Sequence, residues 1–169
     1  MKRFFIVLAV VSTLGVAAIQ AQEMQKGMSL FNVGIGFVPG WGINASYELG
    51  VIDTWGPGIF TVGGYVGYAN WGATHKLLTG HKDDYRVNAM AFSPRATYRY
   101  AINRSFEVYG TVMLGVVHRS YSKYEDNKTR PYYATIVGCR YTFAGNISVF
   151  AETGLNEISF LNGGLCFSF

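Results

Sequence analysis

The chain has 169 residues, 14 basic and 10 acidic, with 14% charged and 16% aromatic residues and 21 glycines. A soluble domain usually carries about 25% charged residues, so this balance suits a sheet whose outer face meets lipid. The net charge of +4 is too weak to argue for nucleic acid, and the length suits one domain.

Lys2 and Arg3 precede an apolar run over residues 4–19, and the small Ala21 offers a cleavage position. That order of basic, apolar and small residues predicts a secretory signal over 1–21, leaving a single domain over 22–169. The alternative, an N-terminal membrane anchor, is disfavoured because the run is shorter than the ~20 residues a spanning helix needs. Without Lys2 and Arg3, twelve basic residues face ten acidic ones. Two later stretches, 27–47 and 54–75, lack charged side chains. Their glycines, Pro39, Pro57 and a two-residue alternation argue against helices. A membrane solution built from strands must close on itself, because an open sheet edge in hydrocarbon leaves backbone groups unpaired.

The alternation predicts eight strands. The first, over 28–38, sets Phe31, Val33, Ile35 and Phe37 against Asn32, Gly34 and Gly36, and Pro39-Gly40 turns the chain. The second, over 41–51, sets Ile43, Ala45, Tyr47 and Leu49 against Asn44, Ser46 and Glu48. The third, over 59–69, sets Val62, Val66 and Tyr68 against Thr61, Gly63, Tyr65 and Gly67. A polar loop is expected over 70–84, with His75, Lys76, His81, Lys82, Asp83 and Asp84. The fourth strand, over 85–100, sets Met90, Phe92, Ala96, Tyr98 and Tyr100 against Ala91, Ser93, Arg95, Thr97 and Arg99. Pro94 within it demands a bulge or an unpaired position.

The fifth strand, over 105–119, sets Phe106, Val108, Val112, Leu114 and Val116 against Glu107, Tyr109, Thr111, Met113 and Gly115. A second long loop is expected over 120–130. The sixth strand, over 131–143, sets Tyr133, Val137, Tyr141 and Phe143 against Ala134, Gly138, Arg140 and Thr142. The seventh, over 147–155, sets Ile147, Val149, Ala151 and Leu155 against Ser148, Phe150 and Glu152. After a short turn near Asn156-Glu157, Leu161, Gly163, Leu165, Phe167 and Phe169 share one face. Phe160, Asn162, Gly164, Cys166 and Ser168 share the other.

That closing segment, alternating and ending on Phe169, resembles the last strand of Gram-negative outer-membrane β-barrels. The whole of 22–169 is similar to the small eight-stranded barrels of the OmpX/OmpA membrane-domain type. The resemblance implies an all-β, antiparallel up-and-down transmembrane barrel in the outer membrane, with both termini periplasmic and the loops 70–84 and 120–130 outside the cell. It also implies that the barrel-assembly machinery reads the strand ending in Phe169. The aromatics sort by height as two interfaces require. Tyr47, Tyr98, Tyr100, Phe106, Tyr141, Phe143, Phe167 and Phe169 fall near one rim, and Trp41, Tyr68, Trp71, Tyr121 and Tyr133 near the other. A secreted lipocalin-like barrel, apolar inside, gives no reason for that sorting.

The inward face carries Glu48, Arg95, Arg99, Glu107, Arg140 and Glu152. Arg99 is expected about opposite Glu107, and Arg140 diagonal to Glu152, so that opposite charges attract across strands. Eight strands leave an interior just wide enough for side chains, which favours a salt-bridged, filled lumen over a polar conduit. Cys139 has lipid-facing parity and Cys166 inward parity, with a strand between them. Two free thiols are therefore expected rather than a disulfide.

His75 and His81 match no metal-ligand spacing, and no metal or other cofactor is expected. His118 and Ser120 share a parity near the outer rim, where barrel enzymes that modify lipid A keep a nucleophile and base. No longer motif surrounds them, so no catalytic residue is assigned. Lys76, Lys82, Arg86, Arg119, Lys123, Lys128 and Arg130 are candidates for contact with lipopolysaccharide phosphates. The expected protein is a monomeric, non-enzymatic outer-membrane barrel that acts in envelope structure or surface contact. The alternatives are a narrow porin-like conduit and a lipid A-modifying enzyme.

Overall fold

The computed structural model describes residues 25–37, 40–53, 58–76, 82–122 and 127–169. The expected signal over 1–21 and the turn at Pro39 lie outside these residues. Eight strands run in chain order: β1 Ser29–Phe37, β2 Trp41–Ile52, β3 Gly58–Lys76, β4 Lys82–Ala101, β5 Phe106–Tyr121, β6 Lys128–Ala144, β7 Ile147–Leu155 and β8 Leu161–Ser168. Each pairs antiparallel with the next, and β8 pairs back onto β1 to close a barrel. Reciprocal backbone bonds between Ser29 and Phe169, at 2.9 and 3.0 Å, finish the seam.

The alternation sorts the side chains. Adjacent residues on β5 differ as far as they can: Met113 is 1% exposed and Leu114 70%. Phe31, Val33, Ile35, Phe37, Ile43, Phe92, Val112, Val116, Val137 and Leu165 all lie exposed on the outer wall. An outer wall of this kind is stable against hydrocarbon, not water. No helix among the described residues is long and apolar enough to cross a membrane; the strands do so instead.

Pro94 is accommodated without a bulge. The β4–β5 ladder pairs Phe92 with Val116 and resumes at Arg95 with Met113 in the same register, leaving the Pro94 level unpaired on that side. On its other side Pro94 still stands opposite Gly64. Proline has no N–H to donate, so the ladder gives way only on the side where a donor would be needed.

Three expectations are corrected. The loop foreseen over 70–84 is mostly strand: β3 and β4 stay paired from Gly58↔Tyr100 up to Lys76↔Lys82. The loop foreseen over 120–130 shrinks, because β5 reaches Tyr121 and β6 begins at Lys128. Phe160, placed on the inward face, precedes β8 and is exposed, whereas Ile158 and Ser159 are buried in that turn.

The strands differ in reach. β3 to β6 have 19, 20, 16 and 17 residues, against 9, 9 and 8 in β1, β7 and β8. The β2–β3 ladder stops at Trp41↔Asn70, and the β6–β7 ladder stops at Thr135↔Leu155. At ~3.4 Å per residue, six further residues carry β3 about 20 Å past β2. The barrel therefore has a short end, holding the described chain ends and the turn at 102–105, and a long end from which β3–β6 project as a four-stranded sheet.

Candidate functional site

The lumen is occupied by one chain of alternating charges. Arg140 Nη2 lies 2.7 Å from Glu107 Oε2, and Glu107 Oε1 lies 2.6 Å from Arg99 Nη1. Arg99 Nη2 donates to both oxygens of Glu48 at 2.9 Å, and Arg95 Nε lies 2.9 Å from Glu48 Oε1. Arg95 Nη2 then reaches Glu152 Oε1 at 2.5 Å. Three guanidinium groups and three carboxylates cancel, and all six residues are buried. Hydroxyl groups fill remaining acceptor positions: Thr61 donates to Glu48 at 2.6 Å and Tyr109 to Glu152 at 3.0 Å. The Tyr109 ring also underlies the Arg99 guanidinium at 4.4 Å.

The expected Arg99–Glu107 pair forms, but in a different register, and the partner of Arg140 differs from the one expected. The residue directly across from Arg99 is Tyr109, and Glu107 is reached diagonally. Arg140 is paired with Glu107 on β5, its ladder partner, while the diagonal neighbour Glu152 is taken by Arg95. A guanidinium side chain in a narrow lumen spans to strands that are not its neighbours, which a pairwise hairpin argument does not capture.

Apolar side chains pack around the charge chain. Met28, Leu30, Ile59, Phe150 and Cys166 form one cluster beside it, Leu30 across from Glu48 and Ile59 across from Arg99. Toward the long end lie Tyr65, Ala69, Ala89, Ala91, Met113, Val117, Tyr132, Ala134, Ile136 and Ile158, with the Tyr65 and Tyr132 rings stacked 6.4 Å apart. Midway, Asn44 Nδ2 donates to Asn162 Oδ1 at 3.0 Å, passing over β1. Gly34 makes room for this bond: a Cβ there would sit 2.9 Å from the Phe150 ring and 3.0 Å from Asn44 Oδ1.

The candidate basic contacts are divided by the fold. Arg86 and Arg130 are exposed on the projecting sheet, and Lys128 is exposed beside them. Lys76 and Lys82 face each other at the tip of the β3–β4 ladder, and Lys123 lies outside the described residues. Arg119 is withdrawn from the group. It has inward parity, pairs with Glu157 and lies over the Trp71 ring at 5.9 Å. Trp71 accordingly packs inside the mouth rather than in an outer aromatic ring, whereas Trp41 and Tyr68 meet edge to face, 6.3 Å apart.

His118 Nδ1 lies 2.9 Å from Thr129 Oγ1, and in the ladders His118 faces Met90 and Thr129 while Ser120 faces Asn88. His81 is outside the described residues. Both cysteines are free. Cys166 is buried, and Cys139 lines an open groove of about 610 Å³ with Tyr98, Tyr100, Val108, Ala151 and Leu161. No local pattern marks the Asn156–Phe160 turn as entering the lumen. Its one signal is an isolated Ile158 between polar residues.

No known family profile matches this sequence, and no curated protein sequence matches it. Among solved structures, a de novo designed transmembrane β-barrel is similar, at 13% identity and a TM-score of 0.57, over 88% of this chain and 100% of that one. The outer membrane protein Ail of Yersinia pestis, in a phospholipid bilayer nanodisc, has 15% identity and a TM-score of 0.48 over 85% of this chain and 100% of that one. Its crystal structure gives 13% and 0.43 over 86% and 100%. At these identities the likeness is one of fold. The closed ladder, the apolar outer wall and the designed barrel together define a transmembrane β-barrel of eight antiparallel strands.

Proposed function

We propose that this chain is a non-enzymatic integral barrel of the Gram-negative outer membrane. Its lumen passes no solute, and it acts through the sheet that β3–β6 raise above the bilayer. The carrying observation is the lumen's filling: a neutral chain of six buried charges packed among apolar side chains. Planar-bilayer recording tests this reading. A silent bilayer is expected, and steady single-channel steps would favour the conduit instead. Mass spectrometry of lipid A, from cells with and without the protein, separates the enzyme reading. An acyl pattern that depends on His118 and Ser120 would overturn the proposal.

The length difference supports an orientation. In outer-membrane barrels short turns lie in the periplasm and long loops outside, so the short end is periplasmic and the projecting sheet extracellular. The basic groups Arg86, Lys128 and Arg130, with Lys76 and Lys82 at the end of the β3–β4 ladder, would then stand near lipopolysaccharide phosphates. Insertion would proceed through recognition of β8 and Phe169 before the β1–β8 seam closes.

The projecting sheet suits surface contact through its edges. Residues 71–76 of β3 have no β2 partner among the described residues, and an unpaired strand edge is a template for another strand. The opposite edge, on β6, carries Arg130 and Pro131, which discourage strand addition. The β3 edge, Trp71-Gly-Ala-Thr-His-Lys76, carries one charge and no proline. An extended protein segment docking on β3 is the contact this arrangement favours. Photocrosslinkers at Ala73 and at Arg130 compare the two edges, with Ile35 on the lipid wall as control. Capture confined to Ala73 is the expected result.

A further inference from the structure

The turn joining β7 to β8 is not a passive connection. Ile158 is 2% exposed and Ser159 1%, unusual burial for a turn at the rim of a barrel. Asn156 Oδ1 folds the turn by accepting from the Ile158 N–H at 2.9 Å, and the same oxygen accepts from Tyr132 Oη at 2.8 Å. Glu157 pairs with Arg119, whose guanidinium covers Trp71. Ile158 enters the apolar cluster of Tyr65, Met113, Val117 and Tyr132. Ser159 donates to Asn162 and rests against Gly36, where a Cβ would come within 2.5 Å of it. Phe160 closes the base, its carbonyl accepting from Thr153 Oγ1 at 3.1 Å and the Gly154 N–H at 3.3 Å.

The strands gripped in this way are the ones that project. Trp71 lies on β3, Arg119 on β5 and Tyr132 on β6, and all three stand where the sheet leaves the barrel. Beyond that level, among the described residues, the sheet has neither β2 nor β7 beside it to hold it in a closed cylinder. A sheet with two free edges and water on both sides is held by its own ladder alone.

We propose that the Asn156–Phe160 turn is an internal strut that sets the angle and order of the projecting sheet, and so governs the docking edge on β3. This rests on the surface-contact reading above, but its test does not need a partner. The Arg119–Glu157 pair is partly exposed, so ionic strength acts on the strut directly.

The test is hydrogen exchange by mass spectrometry on the full chain in phospholipid nanodiscs. Glu157→Gln and Ile158→Ala are compared with the parent protein and with Leu155→Ala on the outer wall. Each strut variant is expected to speed exchange in 71–76, 119–121 and 129–132 by about tenfold, as loss of a local closure predicts. Amides of β1 and β8 should keep their rates. Faster exchange confined to 156–160 would make the turn a passenger and overturn the proposal, as would equal acceleration around the whole barrel. Glu157→Gln preserves volume, so it reports even if Ile158→Ala impairs folding. A failed crosslink at Ala73 with the expected exchange pattern would sink the docking reading and leave the strut standing.

Discussion

Glu48 accepts from Arg95 and from Arg99 at once, each at 2.9 Å, although in the ladders it faces Leu30 and Gly63. One carboxylate thus joins β2 to two levels of β4 through the lumen. Glu48→Gln leaves two buried guanidinium groups short of a counter-charge, and breaking a buried pair costs about 3–5 kcal/mol. Glu152 pairs with a single guanidinium, that of Arg95, so Glu152→Gln should cost less. Urea unfolding of both variants in lipid bilayers checks the order.

The outer wall predicts a different penalty. Leu114 is 70% exposed on the cleanest alternating strand. Leu114→Arg should destabilise the bilayer-embedded barrel by about 2–4 kcal/mol, the cost of a cation at the hydrocarbon midplane. A soluble barrel would tolerate the change, because an exposed arginine in water costs little. Equilibrium folding into liposomes measures it.

Neighbouring glycines separate wall thickness from lumen space. A Cβ at Gly63 would lie 1.8 Å from the Tyr47 carbonyl oxygen, whereas one at Gly64 meets nothing within 4 Å. Gly63→Ala should therefore cost about 1–3 kcal/mol through forced backbone movement. Gly64→Ala, on the lipid side, should stay within about 0.5 kcal/mol of the parent. The same unfolding assay distinguishes them.

The cysteines give a chemical check. β7 separates their strands, and two strand spacings of ~4.8 Å exceed the ~7 Å that a disulfide spans. A membrane-permeant maleimide should modify Cys139 in the folded barrel and reach Cys166 only after unfolding, with no mobility change under oxidising conditions. Labelling of Cys166 at the rate of Cys139 would contradict the filled lumen.

Much of this architecture is legible in the residues. β5 and β7 alternate cleanly because one face must meet hydrocarbon and the other a packed interior, and β7 spans the 147–155 expected for it. The six inward charges were visible by parity alone. Their partners were not, because an arginine in a narrow lumen chooses among several strands. The extension of β3 and β4 through 70–76 and 82–84 was hidden for another reason. Residues 72–76 are polar or small with no apolar alternation, so only the cross-strand ladder with β4 marks them as strand. Ile158 was hidden because a single apolar residue carries no period. Arg119 and Trp71 have inward parity at the strand ends, but the partner that holds Arg119, Glu157, comes from a distant turn that no local pattern connects to it.

The central claim is that every second side chain along a strand touches lipid. The most direct measurement is a nitroxide scan of positions 107–117 on β5 in bilayers, with Cys139 and Cys166 replaced by alanine, comparing collisions with oxygen and with a water-soluble nickel chelate. Oxygen accessibility should peak at 108, 110, 112, 114 and 116 and fall at the positions between, with nickel excluded from the peaks. Nickel reaching 112 and 114, or a profile without a two-residue period, would contradict it.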